Sequence, residues 1–231
     1  AGVPRGPEPA ALANGSVISV TQLFKAVPAR LKFLKTERTE QGQCLYVIKR
    51  LAMAWPHVAF HLMADQRVLL DLPAALPDAA GQQRRIGSIM GRGFADEAIM
   101  LDAMREQIHL TGFAGLPTMN RPTTAHMFLF VNGRPIHDRS LLGAIRAGYG
   151  DTLPRGRQPM AVLFITLPSA DVDVNVHPAK AEVRFKDAAA VRSLLVAALS
   201  AQLRDASITA TADNGAAALR RFASDNQPAS Y

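Results

Sequence analysis

The chain has 231 residues, of which 48% are hydrophobic and 19% are charged, the balance of an ordinary soluble globular protein. No apolar run reaches the roughly 18 residues of a membrane-spanning helix, so the sequence predicts no membrane segment. The formal charge of +7 permits a polyanionic partner without requiring one. The single cysteine, Cys44, excludes an internal disulfide and is compatible with a reducing, cytoplasmic location, which we expect.

The first third of the chain predicts short elements that follow an irregular, proline-rich lead-in. Pro28 suits the first turn of a helix, and Pro56 ends a helical pattern. The expected elements are a strand at 17–20, a helical turn around Pro28, a helix at about 39–55, and a hairpin of strands 58–63 and 68–72 with its turn at 64–67.

The remainder predicts a sheet with helices packed against it. The expected elements are a helix at 82–89, strands at 108–112 and 127–131, a helix at 141–149, a strand at 160–167, and a helix from Asp187 to about Arg204 with a buried stripe of Val191, Leu194, Leu195, Ala198, Leu199 and Leu203. Asp187 is suited to cap that helix, and Asn132-Gly133 is a strong hairpin signal. If two strands are parallel, their connection should be right-handed.

The stretch from Val172 to Phe185 has the densest pattern in the chain. Its valines alternate with polar residues, and a second alternation places Lys180 beside Glu182 and Arg184 on one face. Because Pro178 fixes the backbone between them, two extended segments meet at a rigid corner that presents Lys180. From the residues alone two interpretations stay open: a charge aimed at a terminal phosphate, or a surface lysine paired with Glu182, which is favoured.

Two further constellations are weighed on the same terms. Asp171, Asp173, Asn175 and Glu182 have the oxygen spacing of a calcium loop, but Val176 stands where that loop needs glycine, so no metal site is predicted. Three arginines lie on and after the Asn132-Gly133 turn, namely Arg134, Arg139 and Arg146. They could bind nucleic-acid phosphates or solvate a loop, and the loop is favoured.

Three separated stretches resemble the MutL family of DNA mismatch repair proteins. They are Gly15-Ser16-Val17 through Pro28-Ala29-Arg30, Phe130-Val131-Asn132-Gly133-Arg134, and Asp173 to Lys180 followed by Glu182-Val183-Arg184-Phe185. The blocks occur in the family's order and cover about residues 10–205. The resemblance implies an α+β fold: the C-terminal part of a GHKL (Bergerat-type) ATPase sandwich, then a transducer domain with the ribosomal-protein-type left-handed βαβ fold, which replaces the right-handed default.

The same resemblance implies a division into domains and roles for single residues. The domains would be the incomplete ATPase part at 1–77, the transducer at 78–205 and a linker or disordered tail at 206–231. Lys180 matches a lysine that reaches the γ-phosphate of ATP, while Gly15 and Ser16 match the adenine side, with serine keeping the hydroxyl of the family's threonine. Arg139, with Arg134 nearby, falls where the family has an arginine implicated in DNA binding. Ala26 departs from the usual asparagine.

The implied function is DNA mismatch repair, as part of the DNA damage response. The intact protein would be a homodimeric, ATP-dependent matchmaker that binds double-stranded DNA and relays recognition by a MutS-type partner. The catalytic glutamate and the Mg²⁺-binding asparagine of the family are not among these residues. We therefore assign no catalytic residue, expect ATP and Mg²⁺ to be bound mainly by an N-terminal half, and expect no ATP hydrolysis by this chain alone.

Two alternatives stay open. A type II topoisomerase ATPase-transducer fragment also uses a transducer lysine, but it lacks the Val-Asn-Gly-Arg and Val-His-Pro-Ala-Lys elements together. A non-catalytic DNA-binding module would use Arg134 and Arg139 and would bind DNA without responding to ATP.

Overall fold

A computed structural model describes residue 6 and residues 14–174 and 183–225, with side chains described as far as Ala206. The chain divides into two compact units, residues 1–46 and 47–231. Within the described part of the chain, no helix combines the length and apolar character needed to cross a membrane. The domain boundary expected near residue 77 stays a prediction.

The first unit contains the short helix α1, Pro28–Leu31, with Pro28 in its first turn as predicted. The strand expected at 17–20 is wrong, because those residues have no regular secondary structure. A strand needs a neighbour for its backbone hydrogen bonds. No described strand pairs with this segment, and the side chains of Val17, Ile18 and Val20 are exposed.

Helix α2, Glu37–Ala54, and the hairpin of β1, Phe60–Ala64, with β2, Arg67–Leu72, confirm the predicted helix and hairpin. They are followed by α3, Ala79–Met90, and α4, Arg92–Glu97. The hairpin turn places Asp65 and Gln66 at φ of 47° and 62°, the left-handed geometry of a two-residue connection. Gly91, at φ 101°, follows the last residue of α3 and ends that helix.

A five-stranded sheet is the centre of the second unit. Its strands are β3, Ile99–Arg105, β4, Ile108–Ala114, β6, Met127–Val131, β7, Arg134–Ile136, and β9, Ala161–Thr166, and they lie in the order β3-β4-β9-β6-β7. Two small pairs of strands are β5, Asn120–Arg121, with β8, Gln158–Pro159, and β10, Val172–Asp173, with β11, Arg184–Phe185. Strands β6 and β9 are parallel, and the other neighbours are antiparallel.

The edge strand β3 has no counterpart among the predicted elements. Met100 and Met104 are apolar yet 63% and 71% exposed, so apolar residues occupy both faces of the strand. The alternation that marks a half-buried strand is therefore hidden in its sequence.

Helices α5, Arg139–Tyr149, and α6, Ala188–Asp225, pack on one face of the sheet and close the main core. Every residue of the predicted stripe on α6 is buried, and the Asp187 carboxylate accepts a hydrogen bond from the Ala190 amide at 2.8 Å. The predicted end of α6 near Arg204 is wrong, because the helix continues to Asp225. Alanine-rich sequence favours helix without needing a buried stripe. The role of residues 206–231 as a linker stays a prediction.

Candidate nucleic-acid interface

The segment between β6 and α5 carries the two arginines predicted to contact DNA. Asn132 and Gly133 adopt φ of 47° and 74°, so the predicted hairpin turn is confirmed, and Val131 pairs directly with Arg134. Arg134 is the first residue of β7 and is half-buried. The turn thus fixes the backbone from which the Arg134 side chain leaves the sheet.

Asn132 fastens this turn to the neighbouring strand. Its side-chain amide donates to the Leu167 carbonyl at 3.0 Å, and its side-chain carbonyl accepts from the Leu167 amide at 3.0 Å. Its backbone amide also donates to the Ile165 carbonyl at 2.9 Å. Three hydrogen bonds from one residue hold the turn against the end of β9.

Arg139 is the first residue of α5, and its side chain is exposed. The helix begins there because the carboxylate of Asp138 accepts a hydrogen bond from the Leu141 amide at 2.9 Å. Arg139 takes part in none of the ion pairs formed within the described part of the chain. Its side chain is exposed and can be reached from solvent.

The third arginine of the predicted group, Arg146, lies in the last turn of α5. Its guanidinium donates to the Arg157 carbonyl at 3.4 Å, a contact with the loop before β8. This contact agrees with the interpretation in which Arg146 serves a loop and does not bind a nucleic-acid phosphate.

A small cleft beside Arg139 went unnoticed in the sequence. Its lining residues come from the start of α5, from β11 and from the start of α6, and they are Asp138, Ser140, Leu141, Val183, Arg184, Phe185, Ala188 and Arg192. Arg184 belongs to a family block, but nothing in the sequence links positions near 139 with positions near 190. The fold alone brings Arg184 and Arg192 to one cleft at the start of α5.

The nucleotide-contacting residues expected from the sequence are not tested by the geometry. Lys180 lies outside the described residues. Gly15 and Ser16 are in the first unit and are exposed, with Gly15 at φ 137°. Their roles at the γ-phosphate and at the adenine stay predictions.

Comparison with known protein sequences identifies a family. A family model described as DNA mismatch repair protein, C-terminal domain, matches residues 86–204, about half of the chain. The DNA mismatch repair protein MutL of Bartonella tribocorum is 48% identical over 217 residues, which are 94% of this chain and 35% of that protein. MutL of Rhizobium johnstonii is 52% identical over 204 residues, 88% of this chain and 34% of that protein. The chain thus spans about a third of the length of these relatives.

Solved structures share the fold. A crystal structure of the N-terminal domain of a DNA repair protein superposes with a TM-score of 0.64 at 23% identity, covering 81% of this chain and 60% of that one. The Aquifex aeolicus MutL ATPase domain complexed with ADP gives a TM-score of 0.50 at 24% identity, covering 75% of this chain and 55% of that one. These likenesses confirm the predicted α+β fold class.

Proposed function

Because the chain belongs to the MutL family of DNA mismatch repair proteins, we propose that it is the part of an ATP-dependent matchmaker that contacts DNA and senses nucleotide. In the complete protein, ATP binding would close two heads over double-stranded DNA and relay recognition by a MutS-type partner. The observation that supports the DNA contact is Arg139, exposed at the start of α5 and inside the region that matches the family.

The DNA contact is electrostatic in this proposal. Arginine presents a planar fork of donors that fits phosphate oxygens, and Arg139 has no competing carboxylate partner among the described residues. The half-buried Arg134 lies five positions earlier, at the start of β7, and adds positive charge to the same segment. Contacts of this kind position a protein on the duplex without reading its sequence.

The dependence of DNA binding on salt tests the role of Arg139. Binding of the chain to a fluorescent duplex is followed by anisotropy between about 50 and 200 mM salt, the range over which phosphate contacts weaken strongly. Arg139→Ala should lower the affinity at every salt concentration and reduce the slope of log K against log salt by about one. Arg67→Ala, at an exposed position in the β1–β2 hairpin, is the matched control. Equal slopes for the Arg139 variant and the wild type would contradict this contact.

The nucleotide part of the proposal concerns Lys180, Gly15 and Ser16. Its support is the family motif around Lys180 together with the ADP bound by the Aquifex aeolicus relative. A lysine that contacts the γ-phosphate interacts with ATP and not with ADP, so it can bias an equilibrium between open and closed heads. Ser16 would keep a hydroxyl on the adenine side.

Hydrolysis is assigned to residues outside this sequence. Attack of water on the γ-phosphate needs a positioned general base, and no residue here is proposed for that role. Among the described side chains, no cluster of three or more His, Cys, Asp or Glu residues could hold a metal ion. No step is assigned to Mg²⁺ within these residues.

Phosphate release tests this assignment. The purified chain, incubated with ATP and Mg²⁺, should show no turnover above a protein-free blank. The reason is that none of its residues is proposed as the general base. A catalytically competent ATPase serves as the positive control for the assay. Measurable turnover that disappears in Lys180→Ala would show that the chain hydrolyses ATP by itself, and the proposal would be wrong.

A further inference from the structure

The cleft beside Arg139 is slightly smaller than a typical small-molecule pocket. Its volume is about 260 Å³. Pockets that enclose whole small molecules measure roughly 300–1,000 Å³. The cleft is thus better suited to one group of a ligand that lies across the surface than to a complete nucleotide.

Two arginines dominate the charge of the cleft. Arg184, on β11, is exposed, and Arg192, on the first turns of α6, is half-buried. Neither takes part in an ion pair of the described residues. Both residues line the same cavity, where guanidinium groups can bind an oxyanion.

The carboxylates near the cleft are already engaged. Asp138 lines the cavity, but its carboxylate caps α5 through the Leu141 amide. Asp187 caps α6 through the Ala190 amide, and Asp171 pairs with Lys186 at 3.2 Å. The amide that Asp138 caps is uncharged and does not cancel the carboxylate's charge, but the two arginines of the lining outnumber this one carboxylate.

We propose that Arg184 and Arg192 bind a phosphate of the DNA backbone next to the phosphate bound by Arg139. The inference rests on the proposed DNA contact. Asp138 and Ser140, the chain neighbours of Arg139, both line the cleft, so the backbone of Arg139 lies at its edge although Arg139 is not part of the lining. The Ser140 hydroxyl can donate a further hydrogen bond to the same phosphate.

The test is the salt dependence of duplex binding by the double variant Arg184→Gln with Arg192→Gln. Removing two phosphate contacts should reduce the slope of log K against log salt by about two and lower the affinity at every salt concentration. The matched control, Arg67→Gln with Arg155→Gln, removes the same charge from two exposed positions outside the cleft. The double variant with lysine at both cleft positions keeps the charge and should retain most of the slope.

The single variant Arg184→Gln should fold normally because that side chain is exposed, so it controls for misfolding of the double variant. The slope of log K against log salt should fall by about one in this single variant. If the slope of log K against log salt falls in the Arg139 variant but keeps its wild-type value in the cleft variants, this inference is overturned and the DNA contact of Arg139 is retained. No duplex binding by the wild type overturns both. Cleft variants that lose affinity for fluorescent ATP but keep the wild-type slope on DNA would identify a nucleotide-phosphate site, which also overturns the inference.

Discussion

Asn132 shows how one side chain couples a local turn to the rest of the sheet. Its left-handed backbone, φ 47°, is one that asparagine and aspartate tolerate better than other residues with a side chain. Its amide both donates to and accepts from the backbone of Leu167, thirty-five positions later. Asparagine therefore serves two purposes here, the turn and the attachment to the end of β9, and the turn carries Arg134.

Asn132→Asp should separate these two purposes. Aspartate keeps the turn, but an ionised carboxylate oxygen replaces the donor that faces the Leu167 carbonyl, leaving two acceptors opposed. We expect a loss of about 1–3 kcal/mol in the free energy of unfolding at pH 7, measured by urea denaturation. The loss should shrink as the pH falls from 7 towards about 4, because a protonated carboxyl can donate again. Asn132→Gly is the control that keeps the turn without the side chain. Wild-type stability of the aspartate variant at pH 7 would show that the amide contact contributes nothing.

At the scale of elements, Arg85 joins α3 to both ends of the β1–β2 hairpin. It is buried, with 2% of its surface exposed, and its Nη2 lies 2.8 Å from the Pro56 carbonyl, 2.9 Å from the Val58 carbonyl and 2.7 Å from the Pro73 carbonyl. Burial lowers the pKa of this guanidinium. The hydrogen bonds from a charged donor offset the cost of removing that charge from water.

Arg85→Met tests whether these hydrogen bonds outweigh the cost of burying the charge. Methionine fills much of the same space but leaves three carbonyls without this donor, so the free energy of unfolding should fall by about 2–4 kcal/mol despite the relief of a buried charge. Urea denaturation measures the change. Arg84→Met, at the exposed neighbouring position of α3, should change stability by less than about 0.5 kcal/mol. Similar losses in both variants would contradict a specific role for Arg85.

At the scale of the whole molecule, the two units differ in how much of their backbone is held by packing. Phe33 and the apolar residues at 17–20 in the first unit are largely exposed, whereas the second unit has a continuous core between its sheet, α5 and α6. Segments with few buried contacts open at low free energy and are cleaved first by proteases.

Limited proteolysis should therefore distinguish the units. Low concentrations of trypsin should cut first at Lys25, Arg30, Lys32 or Lys35, all exposed in the first unit, and leave a fragment that contains the whole five-stranded sheet. Mass spectrometry of the early products identifies the sites. Exposed Arg67, the first residue of β2 after the tight turn, is the internal comparison and should be cut later. Early cleavage within the sheet would contradict this difference between the units.

The sequence by itself determined the features that depend on a few neighbouring residues. Periodicity predicted α2, the β1–β2 hairpin, β9 and the buried stripe of α6; Asp187 predicted a cap, and Asn132-Gly133 a turn. The three motif blocks also identified the family. Such signals are local because a cap, a turn or an amphipathic face is specified within one or two turns of chain.

Only the tertiary structure decided the features that depend on residues far apart in the chain. The strand predicted at 17–20 does not form because no described strand pairs with it, and β3 is a strand because β4 pairs with it despite its exposed methionines. Arg184 and Arg192 reach the start of α5 only through the packing of α5 and α6 on one face of the sheet. Strand pairing and clefts form between distant segments, and no periodicity or spacing within one segment specifies the partner.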